Sequence, residues 1–251
     1  VNITALSITP IKGLQLQRVD QIELGRSGAV GDRRFFVIDE RGRMVNGKVI
    51  GELQTVIADT ADGRLRLTFP DGEVVEDEVR HAETLTASFF SQPVEARLLD
   101  GPWADALSEH VGKGVRLVEA EGSVDRGAIG AASLISRASL ERLAAEADVA
   151  DVDPRRFRML IEIDGVEAHA EDAWVGRSAK VGEAVVRWRG HVGRCLITSR
   201  DPESGVIDLP TLDVLGEYRR DLETTEPLPF GIYGSVQESG RVRVGDELHL
   251  L

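Results

Sequence analysis

Along the first 80 residues, hydrophobic positions alternate with polar ones or form short runs, and turn residues separate them. Residues 3–8 and 19–24 alternate or run apolar, which suits strands with one buried face. Residues 34–39 lead into Glu40-Arg41-Gly42-Arg43, a hairpin-like turn. Residues 53–60, 64–69 and 73–79 are separated by Asp62-Gly63 and Asp71-Gly72. Asp-Gly between apolar runs favours the positive φ that a tight hairpin needs. The pattern predicts a meander or small barrel without crossover helices.

From about residue 100 the period changes. Residues 103–111 predict a short helix, with Trp103, Ala106, Leu107 and His110 on one face. Residues 115–120 predict a strand. Ser136 suits the N-cap of a helix through Ala147, with Leu140, Leu143, Ala144 and Ala147 turned inward. Residues 157–163, 184–189 and 195–199 predict further strands, and Pro210 opens a helix to about residue 220. Residues 232–237 and 241–244, joined at Ser239-Gly240, read as a hairpin, and residues 247–251 as a final strand. The predicted fold class is mainly β with a few helices, an α+β chain around a β-barrel core. The composition shift at 98–125 divides it into a β-rich domain over 1–100 and a mixed domain over 101–251, an approximate boundary compatible with interlocking. Neither a Gly-x-Gly-x-x-Gly fingerprint nor a P-loop is present, which argues against NAD and ATP.

Charge narrows the partners. A net charge of -13 opposes nucleic acid or an anionic membrane as the main partner, since both require a cationic face. No apolar run approaches the roughly 18–20 residues of a membrane span. The first ten residues read as a strand rather than a signal peptide, so a cytoplasmic location is expected. The single cysteine, Cys195, excludes an internal disulfide, and also an iron–sulfur cluster or all-cysteine zinc site built from this chain alone. The five histidines lack zinc-helix spacing. Any metal must therefore arrive inside a cofactor that brings most of its own ligands.

Cys195 lies in His191-Val-Gly-Arg-Cys-Leu-Ile-Thr-Ser-Arg-Asp-Pro-Glu-Ser-Gly205. A lone cysteine in a strand is ordinarily an inert core residue. Against that, Arg194 is adjacent, and a nearby guanidinium favours the thiolate. The turn-rich stretch from Arg200 to Gly205 follows directly, where sites commonly sit. A thiolate is a soft ligand suited to a polarizable metal. Both readings stand at this point.

The run from Gly193 to Gly205 resembles the signature of MOSC domains. The likeness is greatest to the branch that contains the mitochondrial amidoxime reducing component and its bacterial relatives. Six further motifs follow in family order: Thr9-Pro-Ile-Lys-Gly13, the Gly31-Asp-Arg-Arg-Phe strand, Ser136-Arg-Ala-Ser-Leu140, Phe157-Arg158, His169-Ala-Glu-Asp-Ala-Trp174 and Val242-Arg-Val-Gly-Asp246. The resemblance implies a MOSC-type β-barrel with an associated N-terminal β-rich domain. It implies that Cys195 ligates molybdenum, and that Lys12, Arg33, Arg158 and Arg194 contact the pterin of a molybdenum cofactor (molybdopterin), several near its phosphate. Three departures stand out: Gly13 replaces a serine, Met159-Leu160 follows Arg158 where the family has Pro-Asn, and Ile129-Gly130 replaces a Thr-Ser pair. Asp201, before Pro202, is expected to form a turn and Trp174 to be core; Glu171-Asp172 reads as a solvated pair, while the resemblance implies that this stretch lies near the site.

The implied activity is reduction of N-hydroxylated or N-oxide small molecules, with electrons from a separate ferredoxin- or flavoprotein-type reductase. The acidic surface would dock a basic face of that partner. Two alternatives use the same residues: a sulfur carrier or transferase with a persulfide on Cys195, and a non-catalytic carrier of the cofactor.

Overall fold

The computed structural model describes residues 1–120 and 127–251. The segment 121–126, at the end of the predicted 98–125 transition, lies outside the described residues. Among the described residues three α-helices punctuate the strands: α1 (Trp103–Val111), α2 (Arg137–Glu146) and α3 (Thr211–Tyr218). The largest sheet has eight strands in the order Leu248–Leu250, Ser178–Val181, Ala184–Gly193, Pro229–Glu238, Ala132–Ser136, Ile161–Asp164, Asn2–Ile8, Gln17–Val19. Its neighbours are antiparallel except Ala132–Ser136 against Ile161–Asp164, the pair connected through α2, as a parallel crossover requires.

A second sheet runs Arg80–Phe89, Gln92–Asp100, Val115–Ala120, Phe35–Asp39, Ile11–Lys12. Met44–Val45 adds a sixth strand to it by pairing with Phe35–Asp39, and two three-stranded sheets complete the described strands, one of them joining Gly240–Arg243 to Gln21–Gly25 and Gly28–Ala29. The chain is mainly β, as its patterning predicts, but among the described residues the sheets are open and mixed rather than closed into one barrel.

Phe35–Asp39 illustrates how the cores form. All five residues are buried, because alternate side chains enter different cores. Phe35 and Val37 pack with Leu65, Trp103, Leu107 and Leu117, while Phe36 and Ile38 pack with Phe89, Ala96 and Val118. Trp103 keeps its polar handle satisfied by donating Nε1–H to the Leu65 carbonyl at 2.9 Å. A third core, under the eight-stranded sheet, holds Ile3, Leu6, Leu134, Ile161 and Trp188.

Several predicted strands resolve differently. Residues 53–60 divide into a short 3-10 turn, Gly51–Thr55, and a strand, Ile57–Ala61. Residues 157–163 also divide: Asp153 caps a 3-10 turn, Pro154–Phe157, by accepting from the Arg155 N–H at 2.8 Å, and the strand starts only at Ile161. The predicted hairpin at Ser239-Gly240 does not pair with itself. Gly240–Arg243 pairs instead with Gln21–Gly25, because that register buries Val242 fully beside Ile22 and Leu24. The long hairpin of Arg80–Phe89 and Gln92–Asp100 has no counterpart among the predicted elements. Its buried positions are few, so alternation barely marks it. No helix among the described residues is long and apolar enough to cross a membrane.

Candidate functional site

All five residues singled out from the sequence border one cavity of about 280 Å³, although they come from four separate stretches of chain. Cys195 follows the strand Ala184–Gly193 and takes an extended conformation at the start of a 3-10 turn, Leu196–Ser199. The predicted strand at 195–199 is therefore a turn, and Cys195 is exposed rather than a core residue. Its carbonyl accepts from both the N–H and the Oγ1 of Thr198 at 3.0 Å. The turn is thereby fixed from the backbone.

Arg194 is buried, and its Nη1 donates to the Phe157 carbonyl at 2.8 Å and its Nε to the Phe230 carbonyl at 2.8 Å. The guanidinium lies 5.2 Å from the Phe157 ring centroid. Gly231, at φ +75°, makes room for this: a Cβ there would sit 2.8 Å from the Leu134 carbonyl oxygen and 3.3 Å from Arg194 Nη2. Arg194 thus ties the strand before Cys195 to two neighbouring segments.

Arg33 and Arg158 both adopt left-handed backbone, φ 49° and 55°, a conformation uncommon outside glycine. Arg33 pairs with Asp32 at 2.5 Å and donates Nη2–H to the Arg158 carbonyl at 2.8 Å. Arg158 donates to the Leu14 carbonyl at 2.7 Å. The two arginines therefore bind the N-terminal strands to the segment after Phe157. Lys12 holds its ammonium 5.7 and 5.5 Å from the ring centroids of Phe89 and Phe90, a cation–π arrangement.

Sequence reasoning missed Lys48, Asn46 and Ser133, which also line the cavity. Lys48 carried one mark in the sequence: it is one of only four lysines. With it, among the described residues, five cations and one carboxylate, Asp32, line the cavity. A protein of net charge -13 thus concentrates positive charge at this place.

The departures have local causes. Gly13 has φ +98°, and a Cβ there would lie 3.3 Å from Asn46 Cα, so a serine would be strained. Leu160 is buried in the core beside Ile161 and gives its N–H to Ser133 Oγ at 3.0 Å. Gly130 borders the cavity while Ile129 is exposed.

The expectation of a solvated Glu171-Asp172 pair is corrected. Glu171 is fully buried and accepts from Ser136 N–H at 3.1 Å, Ser136 Oγ at 2.9 Å and Ser139 Oγ at 2.7 Å. Those bonds organise the N-terminus of α2, whose cap is Ser136. Asp172 pairs with Arg219 at 2.8 Å. Trp174 is core. Asp201 makes the turn: it accepts from Ser204 N–H and Oγ at 2.8 and 2.7 Å. Burial works against its charge, but the Ser204 bonds hold its carboxyl below the usual range.

Family models fit both halves of the chain: one described as MOSC N-terminal beta barrel domain over residues 1–113, and one described as MOSC domain over residues 121–249. The chain belongs to the MOSC domain family. Among curated relatives of this MOSC protein is mitochondrial amidoxime-reducing component 1 of Xenopus laevis, 27% identical over 98% of this chain and 81% of that protein. Its Danio rerio counterpart is 28% identical over 98% and 84%. Human mitochondrial amidoxime reducing component 2 is 39% identical over 37% of this chain and 29% of that protein. Among solved structures, the YUAD protein of Bacillus subtilis aligns over 99% of this chain and 94% of that one, at 12% identity and a TM-score of 0.48.

Proposed function

We propose that this MOSC protein is an oxidoreductase that holds a molybdenum–pterin cofactor in the cavity and reduces N-hydroxylated or N-oxide small molecules. The observation that carries this reading is an exposed thiol, Cys195, at the edge of a cavity lined, among the described residues, by five cations and one carboxylate. That donor set fits the group. A thiolate is a soft ligand for molybdenum, and guanidinium and ammonium groups suit a pterin's phosphate. Cys195 is the metal ligand; Lys12, Arg33, Arg158 and Arg194 hold the pterin, joined by Lys48. When bound, the cofactor supplies the oxygen-atom and electron chemistry.

The chain's own contribution is binding and orientation. Arg33 and Arg158 are already held by carbonyls, so they lose little freedom when they take a ligand. Arg194 positions the Cys195 turn by fixing the strand end before it. The names of the amidoxime-reducing relatives support the reaction class. Electrons come from a separate ferredoxin- or flavoprotein-type reductase, as the single cysteine and missing dinucleotide fingerprint imply.

Exposure of Cys195 serves a persulfide carrier equally well, so the test is metal content. Wild type and Cys195→Ser are expressed with molybdate, and molybdenum and released pterin are measured. Near-stoichiometric metal in the wild type and its loss from the variant are expected. A folded wild type with neither metal nor pterin, despite adequate cofactor supply, would transfer the assignment to sulfur chemistry.

A further inference from the structure

The hairpin of Arg80–Phe89 and Gln92–Asp100 turns at Phe90 and Ser91, both left-handed, with φ 47° and 65°. Two-residue turns of that kind favour Asn-Gly or Asp-Gly, because a bulky side chain is crowded there. Here the first turn residue is a phenylalanine, and it is 59% exposed. Anchoring the tip to the core is the work of its neighbour: Phe89 is buried and meets Phe36 edge-on with centroids 5.2 Å apart. The Ser88 N–H adds a bond to the Gly42 carbonyl at 2.8 Å. Phe90 leans edge-on against Phe89 at 5.0 Å and borders the same cavity as Lys12 and Cys195. A strained backbone at a cavity wall, carrying an exposed aromatic ring with the Lys12 ammonium 5.5 Å from its centroid, is an outlier that calls for a role.

We propose that Phe90 is a specificity-determining residue: it receives the flat conjugated part of the substrate, so the protein favours aryl or heteroaryl N-oxygenated compounds over small aliphatic ones. This rests on the oxidoreductase reading above. The ring is held from behind by an anchored hairpin, so stacking a planar group on it requires little ordering of the protein. Phe90 meets the remote part of the substrate rather than the reacting atoms, so its effect falls on KM more than on kcat.

Two variants test this. Phe90→Asn removes the ring and suits the left-handed turn, and Phe90→Tyr keeps a ring. Molybdenum content, kinetics with a chemical reductant for benzamidoxime and acetamidoxime, and calorimetric titration with the non-reducible benzamide are compared with wild type. In Phe90→Asn, KM for benzamidoxime should rise about tenfold, the scale of a lost aromatic contact. That rise should be at least five times larger than for acetamidoxime, and benzamide binding should weaken in parallel. Phe90→Tyr should stay near wild type, and metal content should be the same throughout. Equal effects on both substrates, unchanged benzamide binding, or loss of metal from Phe90→Asn overturns the proposal. If wild type reduces neither substrate but binds benzamide in a Phe90-dependent way, the aromatic wall stands and the oxidoreductase reading fails.

Discussion

Replacing Arg194 tests whether a buried guanidinium holds the site together. In Arg194→Met the side chain keeps comparable length but cannot donate, so the Phe157 and Phe230 carbonyls lose their arginine donor. A hydrogen bond from a charged donor contributes about 1.5–3 kcal/mol, so two carbonyls represent about 3–6 kcal/mol. Removing the buried charge relieves its desolvation and offsets part of that loss. The expected net destabilisation is about 3 kcal/mol, or a Tm lower by about 6–12 °C for a chain of this size. Arg194→Lys should recover less than half of it, because one ammonium lacks the planar fork that spans two carbonyls. The assay is reversible thermal and urea unfolding of protein expressed without added molybdate, so that ligand binding does not add to apparent stability. The reasoning fails if Arg194→Met unfolds within about 1 kcal/mol of wild type, or if Arg194→Lys matches wild type.

Two further predictions concern the elements behind the site. Ser136→Ala removes the α2 cap and one donor to the fully buried Glu171; a loss of about 2 kcal/mol is expected in urea unfolding, and a loss within a few tenths would contradict the buried network. Burial pushes His169 down to about 4, with Arg219 and Arg142 adding to the shift and Asp172 opposing it. The unfolded chain, with its histidine near 6.5, then binds more protons than the folded one between those values. The stability from a neutral, half-buried His169 is full above pH 6.5 and is lost as pH falls to about 4, about 2 kcal/mol in all once solvent screening of the partly exposed ring is discounted. His169→Asn, which tolerates the left-handed φ of 64°, should flatten the stability profile between pH 7 and 4.5; an unchanged slope would assign the acid sensitivity elsewhere.

Much of the secondary structure was legible because its cause is local. The helix α1 and the strand Val115–Ala120 match their predicted bounds, and Ser136 caps α2 as its side-chain chemistry requires. Propensity, capping and the alternation of apolar residues act over a few positions, so one sequence carries them. The family resemblance was also in the sequence, and the family models fit both halves. Cys195 and Arg194 stood out by their chemistry, but Lys12, Arg33 and Arg158 were marked only by that resemblance. Arginines in an acidic chain look alike until the fold gathers some of them around a cavity and spreads others over the surface.

What only the tertiary structure decided depends on contacts between distant segments. Gly240–Arg243 begins at Ser239-Gly240, which reads as a hairpin turn in sequence, yet pairs more than two hundred residues away because Val242 is buried there. Glu171 looks like a surface acid in sequence and is fully buried, since three donors from the start of α2 compensate for its removal from water. Cys195 looked like a strand residue, but the strand ends at Gly193 and a turn leaves the thiol exposed. The sequence by itself determined the β-rich class and most helix and strand starts, because these follow from local backbone and side-chain physics. The open sheets, the cation-lined cavity and the anchoring of Arg194 on the Phe157 and Phe230 carbonyls follow from long-range burial, where a buried group's partners are chosen by geometry that no local pattern carries.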